Sequence, residues 1–361
     1  MTESRLLLVT SDFPPQLGGI ARYLDLLARY FSKRIRVVTS VPQQDQHLNV
    51  YPVEERVLLS KTGWPKWRAT VRLLVKESAT YDFVFVSHVL PFGTAAWIAS
   101  YVTKKPYCVL THGLDIRLAQ QGRWKRFLTS QIFKHARVVV TNSQALSQEV
   151  AQTFGVPLPL VVYPCLPLVE PEESHQTHNH TFRFLTVGRL IERKGHLQVL
   201  LALSRLKQLC VIEDFVYDIV GDGPTKEACE RMAQELHLPN VVFHGSVSDA
   251  KKNLLYQQAD LFVMPVVSDP IDKEGFGIVY LEAAQFAVPS IASNISGVDE
   301  AVLDHQTGRL VEPGNLEALI ETMKELILDD DQRKILGLQA QQRVKAEFSC
   351  EKQFSILEPY L

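Results

Sequence analysis

Residues 260–265 read DLFVMP and residues 274–282 read EGFGIVYLE, and the passage from one to the other decides the architecture. DLFVMP has the length and bulk of a buried strand, whereas the stretch from Ile278 onward, with LEAAQFA in it, suits a helix. The order is strand, loop, helix. Gly275 and Gly277 let the backbone turn and let a ligand come close, and the start of a helix offers unpaired amide groups and a positive dipole end. An anionic ligand suits such a place. If every step from Glu274 to Glu282 were helical, the rise would part them by about 12 Å, too far for the acid pair of a glycosidase. They suit the two ends of one long ligand. The competing reading is a glycine-rich turn with two solvated acids, and the local string alone does not separate the two.

The same order recurs along the chain. RLLLVT (5–10) is followed by the breaker-rich SDFPPQLGG and by IARYLDLLARYF, whose apolar residues return at helical spacing. IRVVTS, DFVFVSH, PYCVLTH and RVVVTNS repeat the strand signal, with helix-like stretches such as 67–76 and 145–154 between most of them. Alternation of this kind implies a parallel sheet covered on both faces. VEPEESHQTHNHT (169–181) then reads as a linker, being polar, Pro-bounded and without periodicity. After it FRFLTVG, VYDIVG, VVFHG and DLFVMP restart the alternation, with helices from about His196 and Thr225 and again over 315–328, 332–348 and 352–361. The expected organisation is an α/β chain with a Rossmann-like domain over 1–168, a linker over 169–181, a second Rossmann-like domain over 182–348 and a terminal helix within 349–361. Ligands of such sheets collect beyond the carboxyl ends of the strands, so a cleft shared by two facing halves is the expected place for a long ligand.

Composition bounds the partners. At 361 residues, 46% of them hydrophobic, the chain can bury two cores, and a formal net charge of −2 argues against a nucleic-acid footprint by bulk charge. Cys108, Cys165, Cys210, Cys229 and Cys350 are odd in number and share no close spacing, which suggests neither a disulfide framework nor a zinc site. The opening MTESRLLLVTSDF lacks a basic region and its apolar run is short, and no later run is long enough to span a bilayer. A soluble cytoplasmic chain in a reducing compartment is expected. No Asp-x-Asp ends a strand, Asp329, Asp330 and Asp331 read as a cap or turn between helices, and His175, His178 and His180 read as solvated linker. No metal and no cofactor is expected.

Glu274, seven residues, then Glu282 in this setting resembles the signature of glycosyltransferase family 4, retaining sugar-nucleotide enzymes of the GT-B fold. The resemblance covers nearly the whole chain, with its elements in the family's order. PPQLGGIARY, with Gly18 and Gly19, resembles the family's glycine loop, though alone it reads as a strand-to-helix turn. THGLD resembles the motif whose histidine, here His112, lines the donor sugar. In GRLIERKG, Arg189 and Lys194 stand where the family neutralises the diphosphate, for which Arg supplies a planar fork and Lys a point charge. GDGP, with Gly221, and HGSV, with Val247, resemble loops near the nucleotide. Ser296, Asp299 and Ala287 depart from the pattern.

The resemblance implies a retaining hexosyltransferase. It moves a hexose from a nucleoside diphosphate sugar to an acceptor hydroxyl, lipid-linked or on a polysaccharide precursor, with cationic side chains in place of a metal. Glu282 would bind the ribose diol, and Glu274 with Gly275, Phe276 and Gly277 the sugar hydroxyls; 1–168 would be the acceptor domain. No carboxylate is evidently placed as a nucleophile, which favours a front-face route. DKEGFGIVYLEA resembles the branch that uses GDP-mannose, with UDP-glucose and UDP-N-acetylglucosamine still open. A nicotinamide dehydrogenase is disfavoured because the Gly-x-Gly that starts at Gly221 ends on Lys226 rather than a third glycine. A non-catalytic sugar-nucleotide-binding module and a sugar-nucleotide epimerase are the alternatives.

One basic stretch stands apart. KTGWPKWRATVRLLVK (61–76) holds Lys61, Lys66, Arg68, Arg72 and Lys76 with Trp64 and Trp67 and no acid. On a helix from about Trp67, Val71, Leu74 and Val75 share its face beside a basic strip. A surface helix covering its own sheet and a peripheral contact with the anionic inner face of a membrane are both open.

Overall fold

The computed structural model describes residues 4–16, 18–43, 50–60, 64–169, 181–267 and 274–361. His175, His178 and His180, like Lys61, lie outside the described residues. The chain divides into two compact units, Met1–Pro167 with Cys350–Leu361, and Leu168–Ser349.

The first unit is built on seven strands: β1 (Leu6–Thr10), β2 (Ile35–Thr39), β3 (Val53–Glu55), β4 (Phe83–Ser87), β5 (Tyr107–Leu110), β6 (Val138–Thr141) and β7 (Leu160–Val161). Their order is β3-β2-β1-β4-β5-β6-β7, and every pairing is parallel, with Leu6 opposite both Ile35 and Phe83. Successive side chains of a strand leave opposite faces. Leu6, Leu8, Phe83 and Phe85 accordingly enter one core with Leu24 and Leu27 of the helix Gly19–Tyr30. Leu7, Val9, Val84 and Val86 enter another with Ile132 of the helix Arg123–His135. Burial on both faces is why these strands read as unbroken apolar runs. The sequence reading passed over β3 and β7, which sit at the two edges and offer three and two residues.

The tail belongs to this unit. Phe354 and Leu357 are fully buried in its core, Phe354 meets Tyr23 edge-on at 5.5 Å, and the Tyr163 amide donates to Gln353 Oε1 at 2.8 Å. A disulfide joins Cys165 to Cys350, with Cα atoms 4.9 Å apart. This corrects the expectation that no cysteines pair. The two are 185 residues apart, so folding of the tail onto this unit, not any spacing along the chain, brings them within bonding range.

The second unit holds β8 (Phe182–Val187), β9 (Phe215–Val220), β10 (Val241–Gly245), β11 (Leu261–Met264), β12 (Ser290–Ser293) and β13 (Gly308–Val311). The order is β10-β9-β8-β11-β12-β13, again all parallel. Phe184, Ile219, Val263 and Ile291 pack against Val199 and Leu203 of the helix His196–Gln208 and against Leu319 and Met323 of the helix Leu316–Leu328. Asp329 is the cap expected of it, its Oδ1 accepting from the Gln332 amide at 2.9 Å. β12, SIAS, escaped notice because two serines frame a run of only two apolar residues. The architecture is the expected pair of parallel-sheet α/β units, and because each sheet is parallel, the loops after its strands leave from one edge.

Candidate active site

In the first unit the loops after β1, β4 and β5 meet around His112. Thr111 and His112 follow β5 directly, and the His112 amide donates to Asp115 Oδ1 at 2.9 Å, while the Val89 amide reaches the other oxygen of that buried carboxylate at 3.3 Å. The His112 Nε2 is hydrogen-bonded to Ser87 Oγ at 2.9 Å, and Ser87 Oγ lies 3.2 Å from His88 Nδ1. His88 Nδ1 stands 3.5 Å from Asp12 Oδ2, and the backbone of His88 has φ 73°, a strained conformation for a side-chain-bearing residue. Burial drives the His112 imidazole down to about 3, with neighbouring His88 adding to the effect and Asp12 opposing it. At neutral pH this ring is uncharged and can donate or accept one hydrogen bond at each nitrogen.

Gly18, at φ 152°, precedes the helix that begins at Gly19, and no acid occupies that helix's first turn. The ring of Tyr23 on the same helix meets that of His112 edge-on with centroids 6.2 Å apart, so the glycine loop and the histidine share one neighbourhood. Ser87, His88 and Asp12 were missed in the sequence. The available signal was polar residues directly beyond the carboxyl ends of apolar strands, in FVFVSH and LLLVTSD.

In the second unit the loops after β8 and β11 converge on Glu274. Lys194, buried at the end of the short turn Glu192–Lys194, places Nζ 2.7 Å from Glu274 Oε2, and Arg193 Nη1 lies 2.6 Å from the same oxygen. Burial pushes this carboxyl up, but the charges and hydrogen bonds of Lys194 and Arg193 outweigh it and hold the group down at about 2. Glu274 is therefore ionised, and these three side chains carry one negative and two positive charges. Arg193 is the partner the sequence reading did not single out. Arg189 is exposed on the loop after β8 and is not among the contacts of Glu274.

The glycines have separate structural reasons. Gly277, at φ 83°, opens the helix Ile278–Gln285, where a Cβ would come 2.5 Å from the Tyr280 ring. Gly221, at φ 133°, follows β9, where a Cβ would strike the Gly188 carbonyl oxygen at 2.0 Å. Gly275 lies beside Glu274, and Phe276 is buried with its ring 5.7 Å from that of Phe348. Val247 is half-buried in the loop after β10. Glu282 does not join Glu274: it is buried on the helix, with Oε1 accepting from Lys252 Nζ at 3.0 Å and Oε2 from the Tyr256 hydroxyl at 3.0 Å. The two acids anchor two distinct clusters, Glu274 with Lys194 and Arg193 and Glu282 with Lys252.

Known proteins resemble the chain along both units. The family model described as glycosyl transferases group 1 matches residues 170–343, and that described as Glycosyltransferase Family 4 matches residues 17–166. The chain is 33% identical to the O-antigen chain mannosyltransferase C of Escherichia coli, over 94% of this chain and 92% of that one. It is 25% identical to a GDP-mannose-dependent alpha-(1-6)-phosphatidylinositol monomannoside mannosyltransferase of Mycolicibacterium smegmatis, over 92% of each. The fold superposes on the crystal structure of Anabaena Alr3699/HepE in complex with UDP with a TM-score of 0.80 at 20% identity, covering 98% of both chains. With both units matched in order and a relative this similar along almost its whole length, the chain belongs to glycosyltransferase family 4 and is a glycosyltransferase of the GT-B fold.

Proposed function

We propose that this enzyme transfers mannose, with retention, from GDP-mannose to a hydroxyl of a lipid-linked or polysaccharide acceptor. The two mannosyltransferase relatives named above support the sugar, and one of them acts on a phosphatidylinositol monomannoside. The observation that carries the chemistry is the buried Lys194–Glu274 pair with Arg193 on the same oxygen. A diphosphate leaving group needs cations that are fixed before the bond breaks, and an ionised carboxylate fixes them without using all their donors. Lys194 and Arg189 take the diphosphate, and Arg193 holds Glu274 in place. Glu274, with the backbone from Gly275 to Gly277, receives sugar hydroxyls; Glu282, steadied by Lys252 and Tyr256, receives the ribose diol. Gly18 and Gly19 approach the diphosphate or the acceptor, Gly221 and Val247 lie by the nucleotide, and neutral His112 meets a sugar hydroxyl.

The bond from the sugar's anomeric carbon to the phosphate oxygen breaks while the acceptor oxygen bonds to that carbon from the same face. The acceptor proton passes to the departing phosphate oxygen, so no protein nucleophile is required. Cationic side chains, rather than a divalent ion, neutralise the leaving group in this reading. A peripheral contact with an anionic membrane surface belongs to this reading as well.

Thermal shift with GDP, UDP and ADP tests the donor. A nucleotide at 100 times its dissociation constant stabilises by about 2.7 kcal/mol. GDP is expected to stabilise most, and mannose transfer from GDP-mannose to exceed glucose transfer from UDP-glucose. A larger shift with UDP would move the assignment to the UDP-sugar branch.

A further inference from the structure

The membrane contact expected of residues 61–76 loses most of its apolar side in the folded unit. Leu74 is buried, and Trp67, Val71 and Val75 are half-buried, so Trp64, 85% exposed, is the one large apolar residue of the described part of that stretch that faces solvent fully. A different part of the same unit carries the opposite pattern. On the helix Leu114–Gln120, Ile116 and Ala119 are buried while Leu114 and Leu118, one turn apart, are exposed. On the next helix, Arg123–His135, which packs against it, Trp124 is 70% and Phe127 56% exposed, three residues apart with rings 6.0 Å from each other. These are large side chains that a folded unit ordinarily turns inward.

Their charged neighbours decide what covers them. Arg123, Lys125 and Arg126 are all exposed and interleave with Trp124 and Phe127 in the sequence RWKRF. Between Leu114 and His135 there are five lysines and arginines and one acid, Asp115, which is buried and committed to the amides of His112 and Val89. The whole chain, by contrast, is slightly acidic, with a formal net charge of −2. A second copy seated through the same face would bring like charges together. A surface that is apolar just below a layer of negative charge satisfies both parts: Trp and Phe sit at the headgroup level while the cations meet the anionic groups above them. Leu114 follows His112 by two residues, so this face adjoins the histidine that the mechanism uses.

We infer that the exposed Leu114, Leu118, Trp124 and Phe127, with Arg123, Lys125 and Arg126, dock the enzyme on an anionic lipid bilayer. The inference rests on the reading of the acceptor as lipid-linked and locates how the enzyme reaches it.

The test is cosedimentation of the full chain with vesicles of phosphatidylcholine alone and of phosphatidylcholine mixed with phosphatidylglycerol, at low and high salt. The wild type is expected to partition to the anionic vesicles only, less so as salt is raised. Trp124→Ser with Phe127→Ser is expected to weaken this by at least about tenfold, and each charge removed in Arg123→Gln and Lys125→Gln to weaken it by about fivefold. Trp64→Ser with Arg72→Gln is expected to change it far less. Unchanged binding of the Trp124 and Phe127 variant, or loss of binding confined to the Trp64 variant, overturns the assignment. So does a wild type that ignores anionic vesicles but self-associates through Trp124. GDP binding, followed by thermal shift on the same proteins, reads the glycosyltransferase site separately: docking variants that still bind GDP are folded, and a wild type that docks without binding any nucleoside diphosphate would strike the donor reading alone.

Discussion

Lys194 Nζ and Glu274 Oε2 stand 2.7 Å apart, although 80 residues separate them and they come from loops after different strands of one sheet. The pair ties the turn after β8 to the start of the helix Ile278–Gln285. Arg193, on the same oxygen, makes the arrangement a triad with one negative and two positive members. The Glu274 side chain faces these cations from within the unit, whereas Glu282 meets Lys252 and Tyr256 on the far side of Gly277. Substitution of the two acids is therefore expected to give different phenotypes.

Glu274→Gln should cripple transfer while leaving GDP binding within a few-fold of wild type, because it removes the charge beside the sugar but adds net positive charge beside the diphosphate. Glu282→Gln should weaken nucleotide binding itself. Dissociation constants for GDP and initial rates on both variants check this. Two near-wild-type enzymes would remove the acids from the site.

The same carboxylate makes a prediction about pH. Its folded value of about 2 lies below the ordinary carboxylate value of 4.5, so its contribution to stability is fully present above about 4.5 and disappears as pH falls toward 2. The difference between these values corresponds to roughly 3 kcal/mol. The gap in thermal midpoint between wild type and Glu274→Gln should therefore shrink across that window. A gap that is constant from neutral pH down to pH 2.5 would show that the charge is not what holds the triad.

His112 gives a dependence of the same sign in a higher window. The folded imidazole resists protonation down to about 3, whereas an unfolded histidine takes a proton near 6.5. Stability attributable to His112 is thus unaffected above 6.5 and falls as pH drops from 6.5 toward 3. His112→Asn should flatten this part of the stability profile and slow transfer. Ser87→Ala, which leaves the ring nitrogen without its hydroxyl partner, should cost about 1–3 kcal/mol in stability. Thermal midpoints at several pH values, with rates at pH 7, measure all three.

How much of this could be read before the structure differs from element to element. The long central strands announce themselves because burial on both faces leaves them no polar positions, and the loops with Gly18, His112, Lys194 and Glu274 sit where such strands end. The edge strands β3 and β7 did not show, since two or three residues with one partner strand need little apolar character. Arg193 was hidden beside Lys194: in a run of charged residues, which side chain turns inward depends on the short turn Glu192–Lys194, not on composition. The His88–Asp12 and Ser87–His112 contacts and the Cys165–Cys350 bond join residues distant in sequence, and each polar member by itself reads as an ordinary strand end or a lone thiol.

The tail gives a prediction of stability alone. Phe354 is completely buried between Tyr23 and Tyr30 of the first helix, with ring separations of 5.5 and 5.8 Å. Phe354→Ala should destabilise the first unit by about 3–5 kcal/mol, seen as an earlier unfolding transition in denaturant. GDP affinity, which the second unit supplies in the proposed site, should be kept at temperatures where both forms remain folded.

The last prediction concerns the leaving group. If Lys194 and Arg189 neutralise the diphosphate as it departs, a divalent ion is not needed for that step, and transfer should continue at a similar rate in the presence of a chelator. Lys194→Ala should then be the most damaging single change. It removes the charge at the reacting phosphate and, among the described residues, leaves Arg193 as the cation on Glu274, whereas Arg189→Ala removes a donor from an exposed position of the loop after β8. Deleting a donor that meets charge developing in the transition state costs on the order of 3 kcal/mol, about a hundredfold in rate. Lys194→Arg keeps the charge but cannot reproduce a compact ammonium at 2.7 Å from Glu274, so partial activity is expected. Initial rates with and without chelator for the four proteins measure this. Abolition of wild-type activity by the chelator, restored by an added divalent ion, would show that a metal rather than Lys194 carries the leaving group.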